Sequence, residues 1–214
     1  MTWYRIVFAK RPPLHWLSHL DLQTVWLYAL RRSRLPLAFS EGFNPQPRLS
    51  ILMPLELGIT SEVEILHLRL TAPLAAATVQ DTLAPQLPAG LAIHTVTALP
   101  EPRKPAIPAD LAALTYRVVA AAITPAQAAA ALAAHPAVSR VREGKTRVFA
   151  LADDVLASRA ESDAAGRLIL TFTLRTRVTG ALRAGEFVAA AGVTPGNIVE
   201  FTRTEMQFTD ERQG

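Results

Sequence analysis

The chain has 214 residues, of which half are apolar and 19% are charged, and it contains no cysteine. This composition supplies apolar surface for one large domain or two small ones and excludes a disordered chain. The lack of cysteine excludes disulfides, a thiol nucleophile and an iron–sulfur cluster held by thiolates of this chain. No apolar run reaches the ~18 residues of a membrane span and the start does not resemble a signal peptide, so we expect a cytoplasmic protein without membrane contact.

The formal net charge is +4, and the positive charge is concentrated at the start of the chain. Residues 1–50 hold two carboxylates, Asp21 and Glu41, against seven cations: Arg5, Lys10, Arg11, Arg31, Arg32, Arg34 and Arg48. This asymmetry favours a polyanionic partner, above all RNA. Ordinary solubilising surface charge explains the pattern equally well, so charge alone leaves both interpretations open.

The first hundred residues have the pattern of one mixed module. Alternation of apolar and polar residues predicts strands, and apolar residues at helical spacing predict helices. In chain order we expect a strand, a helix, an apolar run that forms a strand, a further strand, a helix and a strand: residues 3–9, 18–33, 49–57, 62–70, 73–84 and 90–98. The order β-α-β-β-α-β is that of the ferredoxin-like fold.

A proline-rich linker and a second module follow. Pro100, Pro102, Pro105 and Pro108 predict a stiff linker over residues 100–112. Behind it we expect a strand, a helix capped by Thr124, two extended pieces, a strand, a helix and a strand: residues 115–121, 125–134, 138–156, 167–178, 182–191 and 198–208. We therefore predict an α+β protein of two tandem ferredoxin-like modules, 1–99 and 113–210.

The helix over 18–33 begins with a recognisable cap. Ser18 and Asp21 have the spacing of a capping box, in which the hydroxyl and the carboxylate each accept a hydrogen bond from a free backbone N–H. That structural role competes with a binding role for the same two residues. At 100° per residue the apolar side of the helix should face the sheet, and this side comprises Leu22, Val25, Trp26, Ala29 and Leu30.

The opposite side of this helix collects polar and basic residues. It comprises Asp21, Thr24, Tyr28, Arg31 and Arg32, and Arg34 follows directly. Arginine forks bind phosphate or carboxylate oxygens, and a tyrosine can stack on a base, so we treat Tyr28 and these arginines as candidate binding residues. The alternative is a solvated face with incidental basic residues.

His19 is the candidate catalytic residue. A neutral imidazole at the helix start can serve as a general base or as a metal ligand. His15 lies four residues earlier, but the three or four ligands of a zinc site cannot be assembled, so no metal is predicted. We favour a half-buried histidine that forms a hydrogen bond to the neighbouring loop.

Residues 40–48, Ser-Glu-Gly-Phe-Asn-Pro-Gln-Pro-Arg, form the most specific segment. Gly42 permits a positive φ and the prolines stiffen the backbone, so the segment should be a rigid loop that holds ligand contacts at low entropic cost. Phe43 either anchors the loop inward or offers a stacking face. We take as candidate binding residues Ser40, Glu41, Phe43, Asn44 and Arg48; an ordinary proline-rich lead into a strand is the alternative.

Four segments together resemble the radical-SAM-linked domain of unknown function. All lie within the first seventy residues, in the family's order and spacing: Ser18-His19-Leu20-Asp21, residues 31–38 (Arg-Arg-Ser-Arg-Leu-Pro-Leu-Ala), residues 40–48, and residues 54–61 (Pro-Leu-Glu-Leu-Gly-Ile-Thr-Ser). The resemblance implies a companion of a radical SAM protein with a cobalamin-binding-type domain, encoded nearby or fused to it. The cluster and SAM would belong to that partner, so we expect no cofactor on this chain.

The tandem ferredoxin-like architecture also resembles that of CRISPR repeat-processing endoribonucleases, which cleave RNA with a histidine and without metal. This likeness is one of fold alone. The glycine-rich loop that those nucleases carry near the C-terminus is sparse here, Gly192-Val193-Thr194-Pro195-Gly196. Cleavage is therefore less supported than binding.

Three functional hypotheses follow. The leading one is a non-catalytic subunit that binds RNA or presents substrate to the radical SAM enzyme, with Phe43 or Tyr28 stacking on a base and phosphates held by Arg31, Arg32, Arg34 and Arg48. The second is pure protein docking on that enzyme through the 40–48 loop and Trp16. The third is a metal-independent endoribonuclease in which His19 is the base and Arg32 or Arg48 stabilises the phosphate.

Overall fold

The computed structural model describes residues 1–99, 111–177 and 180–209 and divides the chain into two compact units, Met1–Pro108 and Ala109–Gly214. Both units mix helices and strands, so the chain is an α+β protein. Most of the predicted linker, residues 100–110, lies outside the described residues; its last two residues already belong to a strand. Within the described ranges, no helix is long and apolar enough to cross a membrane.

The first unit has four strands and two α-helices. In chain order they are β1 (Thr2–Lys10), α1 (His19–Ser33), β2 (Leu49–Ile51), β3 (Thr60–Leu70), α2 (Ala76–Leu83) and β4 (Leu91–Leu99), with short 3₁₀ turns at Leu14–Trp16 and Ala84–Gln86. The strands lie side by side in the order β4-β1-β3-β2, and every neighbouring pair is antiparallel. The predicted β-α-β-β-α-β element order is thus present.

Two boundaries in this unit differ from the predicted ones. The apolar run 49–57 pairs as a strand only over Leu49–Ile51. Helix α2 begins at Ala76 rather than near residue 73, because the backbone of Leu74 is held by Tyr4: the buried phenol donates to Leu74 O at 2.8 Å and accepts from Leu74 N at 2.7 Å. Long-range hydrogen bonding of this kind is invisible to local periodicity.

The core of the first unit lies between one face of its sheet and the two helices. Alternate residues of β1 and β3 contribute to it, together with α1 and α2: Tyr4, Ile6, Phe8, Leu66, Leu68, Leu70, Leu22, Trp26, Ala29, Leu30, Val79 and Leu83. Trp26 packs edge-on against Phe8 with ring centroids 4.8 Å apart. The α1 side predicted to face the sheet is the buried side, with Val25 partly buried against the core.

The second unit repeats the strand order of the first. Its elements are β5 (Leu111–Ala120), α3 (Pro125–Ala134), β6 (Ala137–Arg142), β7 (Lys145–Ala150), α4 (Leu151–Asp154), β8 (Val155–Ser162), β9 (Leu168–Arg175), α5 (Ala184–Ala190) and β10 (Ile198–Phe208). The sheet order β10-β5-β9-β8, with antiparallel neighbours, corresponds to fourth, first, third and second strand if β6 and β7 are set aside.

Residues 137–154 of the second unit depart from the predicted pattern. The two extended pieces expected over 138–156 are a separate hairpin, β6–β7, followed by the single helical turn α4, and β8 follows at 155–162. Glu143 and Gly144 both have positive φ, 52° and 74°, which is the backbone of a tight two-residue hairpin turn. The strand predicted over 115–121 also begins earlier, at Leu111, where it pairs with Phe208.

The contact between Tyr4 and Leu74 yields a test of the fold. Tyr4→Phe removes both hydrogen bonds to the partly buried backbone of Leu74, so we expect the free energy of unfolding to fall by about 1–3 kcal/mol in urea denaturation. Tyr28→Phe is the matched control, because the exposed Tyr28 hydroxyl lies on the outer side of α1. Equal stability of the two variants would contradict the assigned role of Tyr4.

Candidate nucleic-acid interface

Helix α1 starts at a complete capping box. Asp21 N donates to Ser18 Oγ at 3.2 Å, and the Asp21 carboxylate accepts from Ser18 N at 3.2 Å and from Ser18 Oγ at 2.6 Å. The polar groups of both residues are therefore engaged in starting the helix. The structure thus gives these two candidate binding residues a structural role.

His19 follows the cap and is half-buried, as predicted, but its expected hydrogen bond to a neighbouring loop is not found. Its Nδ1 is enclosed and has no hydrogen-bond partner within the described residues. Lys10 instead fixes the backbone just before the cap. Its side chain is fully buried, and its Nζ donates to Leu17 O at 2.9 Å. Lys10, which the sequence analysis counted only as a surface cation, is thus a structural residue.

The outer side of α1 is exposed along its whole length, as predicted. Asp21, Thr24, Tyr28, Arg31 and Arg32 are all exposed. Tyr28, Arg31 and Arg32 are three and four residues apart, so they are neighbours on the last two turns. Arg34 ends the helix with a left-handed backbone, φ 56°, and is exposed as well.

The candidate residues of α1 fall into two groups at opposite ends of the helix. The cap and His19 lie near Lys10, at one end of β1. The end of α1 lies near the other end of the sheet, where Thr71 N donates to Pro36 O at 2.8 Å and Thr2 pairs with Leu70. At 1.5 Å per residue, the 13 residue steps from His19 to Arg32 span about 20 Å. His19 and Arg32 therefore do not share a site.

The 40–48 loop is a closed, hydrogen-bonded turn. Ser40 N donates to Gln46 O at 2.8 Å, Gln46 N donates to Ser40 Oγ at 3.0 Å, and the Gln46 amide donates to Asn44 Oδ1 at 3.1 Å. Gly42 has φ 116°, a conformation that favours glycine. The polar groups of Ser40 and Asn44 thus build the loop itself.

Two other loop residues point away from the protein. Glu41 is exposed, and Phe43 has a relative exposure of 112%, so its whole ring is in solvent. Of the two orientations left open for Phe43, the structure shows the outward one. Isolated β-bridges join Phe39 to Pro47 and Leu37 to Leu70, which attaches the loop to the end of the sheet where α1 terminates. The loop and the last turn of α1 therefore lie at the same end of the first unit.

The arginines at this end of the unit are not neutralised by carboxylates. Arg32 donates to Gln86 O at 2.6 Å and Arg48 Nε to Phe39 O at 3.2 Å, both backbone carbonyls. Arg31 and Arg34 have no hydrogen-bond or ion-pair partner within residues 1–99, 111–177 and 180–209. We call Arg31, Arg32, Arg34 and Arg48 the arginine cluster.

Seven arginines elsewhere in the chain are paired with carboxylates. Arg11 is bound to Glu62 at 2.6 Å, and its hydrogen bond keeps the pKa of Glu62 below the usual value. In the second unit six arginines are paired with carboxylates: Arg117 with Glu200, Arg140 with Glu186, Arg142 with Glu143, Arg159 with Glu161, Arg167 with Asp163 and Arg177 with Asp154. The arginine cluster differs from these seven, whereas Arg175 likewise donates to a backbone carbonyl, Asp153 O, at 3.2 Å.

A further group of chemically capable residues was missed by the sequence analysis. Arg5, His67 and Arg69 lie on β1 and β3, on the sheet face opposite the helices, because their neighbours Tyr4, Ile6, Leu66 and Leu68 point into the core. The alternation of β1 and β3 was recognised, but only its apolar half was interpreted. The polar residues that alternate with the apolar ones were the sequence signal that could have identified this group.

The fold and this surface define the chain as an α+β protein with an unneutralised basic end on its first unit. The model of a bacterial family described as "Uncharacterized protein conserved in bacteria (DUF2344)" matches residues 3–183, and the chain belongs to that family. The comparison with curated proteins found no match.

Among solved structures, the chain is similar to a protein in the "Crystal Structure of a Cbf5-Nop10-Gar1 Complex", with 9% identity and a TM-score of 0.47. The alignment covers 96% of this chain and 50% of that protein, so the chain spans half of its length. A similarity of this degree carries no inference about function.

The capping box predicts a measurable loss of stability. Ser18→Ala removes the side chain that accepts from Asp21 N, and we expect the free energy of unfolding to fall by about 1 kcal/mol in chemical denaturation. Thr24→Ala on the same helix is the control: the Thr24 hydroxyl only donates back to Leu20 O, and its removal should change stability by less than about 0.5 kcal/mol. Equal effects would show that the cap does not stabilise α1.

Proposed function

We propose that this chain is a non-catalytic, cytoplasmic companion of a radical SAM protein and that it binds RNA through the first unit. The observation that carries RNA binding is the arginine cluster, whose charges no carboxylate of the described residues neutralises. Guanidiniums in this state are available to phosphate oxygens, which they bind in a bidentate manner.

The aromatic side chains near the arginine cluster support RNA rather than a small anion. Phe43 stands fully exposed on a loop that is closed by its own hydrogen bonds, and Tyr28 is exposed one turn before Arg31 and Arg32. Exposed aromatic rings beside cationic groups are the usual platform for unstacked bases. A rigid loop presents such a ring with little loss of entropy on binding.

The radical SAM partner is supported by the sequence resemblance over residues 18–61, which implies the companion role. The strand order shared by the two units supports a finer proposal on the fold, namely two tandem ferredoxin-like modules, the second with the β6–β7 hairpin inserted. Cleavage of RNA by this chain itself gains no support, because the proposed base His19 lies about 20 Å along α1 from Arg32.

Salt dependence tests RNA binding directly. We expect the purified chain to bind single-stranded RNA with an affinity that falls steeply with salt in fluorescence anisotropy, because each phosphate contact releases counterions. The double variant Arg31→Gln/Arg34→Gln removes two contacts, so the slope of log K against log salt should flatten by about 1.4.

The control for this test is the double variant Arg142→Gln/Arg159→Gln. It changes the net charge equally but removes exposed arginines that are already paired with Glu143 and Glu161. It should bind RNA like the unmodified chain. Identical losses in the two double variants, or an affinity independent of salt, would refute the proposed site.

Protein docking is the second candidate, and exposed apolar residues near the start of α1 favour it. Trp16 is 68% exposed, with its ring resting over Gly58, and Leu20 and Leu57 are exposed as well. Gly58 N donates to His15 O at 3.0 Å, which connects the two segments that carry Trp16 and Leu57. Large exposed aromatic residues are frequent anchors of protein interfaces.

Docking predicts co-purification with the radical SAM protein that withstands nuclease treatment. Trp16→Ala should weaken this association at least about tenfold, as expected for an interface anchor, while leaving RNA affinity intact. Phe43→Ala separates the two functions: it should reduce RNA binding under our leading proposal, and loss of the protein complex instead would assign the loop to docking.

A further inference from the structure

The sheet face opposite α1 carries five neighbouring side chains in two adjacent rows. Arg5 and His67 are direct cross-strand partners, and Ser50 on β2 lies opposite His67 on its other side. In the next row Arg69 is the partner of Trp3, and its guanidinium lies over the indole at 5.7 Å from the ring centre. Side chains of neighbouring rows on one face are within reach of a common ligand.

His67 is a buried polar group in this arrangement that lacks a partner. It is 2% exposed, and neither ring nitrogen has a hydrogen-bond partner within the described part of the chain. The buried Nε of Arg69, two residues along the same strand, also lacks one. Buried polar groups are normally satisfied, so three unsatisfied nitrogens on neighbouring residues indicate a missing polar ligand.

The chemistry of the three side chains defines that ligand as an acceptor with negative charge. Arginine has only donors, and an imidazole beside an oxyanion is favoured as a donor. Burial, with a smaller contribution from the charge of Arg5, lowers the pKa of His67 from 6.5 to about 4, so the ring is neutral at pH 7. Arg5 is exposed and Arg69 half-buried, so solvent reaches two of the three side chains.

We propose that Arg5, His67 and Arg69 form an oxyanion site on this face of the first unit, for the phosphate or carboxylate group of a small ligand. Trp3 supports the Arg69 guanidinium from below, and Ser50 is the neighbouring hydroxyl on β2. The site is separate from Arg31, Arg32 and Arg34, because His67 and α1 lie on opposite faces of the sheet. Arg48 precedes β2, and its carbonyl accepts from Arg69 N at 2.9 Å. Its existence does not depend on RNA binding.

The test is a titration of the full chain with inorganic phosphate, and separately with acetate, at constant ionic strength and pH 7, monitored by NMR. The Arg69 Nε–H and His67 imidazole signals should shift with saturation for at least one anion, and Arg5→Gln should weaken the apparent affinity about tenfold or more. A repeat over a pH series should show the His67 pKa rising when the anion is present, since a nearby negative charge favours the imidazolium. The anion with the stronger response assigns the ligand group as phosphate or carboxylate.

Three further variants keep the test decisive. Arg69→Lys retains the charge but removes the Nε donor, and it should also weaken binding if the geometry is right. Arg159→Gln has the same charge change as Arg5→Gln at an exposed pair of the second unit and should leave the titration unchanged, as should Arg31→Gln/Arg34→Gln. No saturable shift with either anion, or equal shifts in Arg5→Gln and the unmodified chain, would overturn the oxyanion site.

Discussion

The packing of α1 on the sheet of the first unit determines where every candidate residue of that helix lies. Trp26 is completely buried and meets Phe8 edge-on, and Leu22, Ala29 and Leu30 complete the buried side. Because a helix places side chains every 100°, burial of this side forces Tyr28, Arg31 and Arg32 to point to solvent. The basic surface is thus a direct consequence of the core.

The same helix also limits what its residues can do together. Its two ends differ in chemistry: Ser18 and Asp21 cap the first turn, and the last turn carries Arg31 and Arg32. Positive side chains stabilise the C-terminal end of a helix through its dipole, so Arg31 and Arg32 contribute to stability irrespective of any ligand. Six arginines of the second unit have carboxylate partners, whereas the arginine cluster has none among the described residues.

Local patterns identified most elements of both units but missed those defined by distant contacts. Helix α1 was predicted from its capping box and apolar periodicity, and α3 from the Thr124 cap and its alanine-rich sequence; the predicted bounds of both agree with the structure to within one residue. Two extended pieces were predicted over 138–156, but their pairing as a separate hairpin, β6–β7, was not; its turn is formed by Glu143 and Gly144, both with positive φ. The late start of α2 depends on Tyr4, 70 residues away in sequence from Leu74.

The sequence by itself determined the order of the elements in the first unit, the buried side of α1 and the location of the basic residues. Periodicity and capping are properties of neighbouring residues, so they can be read along the chain. Only the tertiary structure decided that Phe43 points outward and that His67 is buried beside Arg5 and Arg69 with both ring nitrogens unsatisfied among the described residues. These outcomes depend on which strands pair and in which register, and that is settled by contacts between segments far apart in sequence.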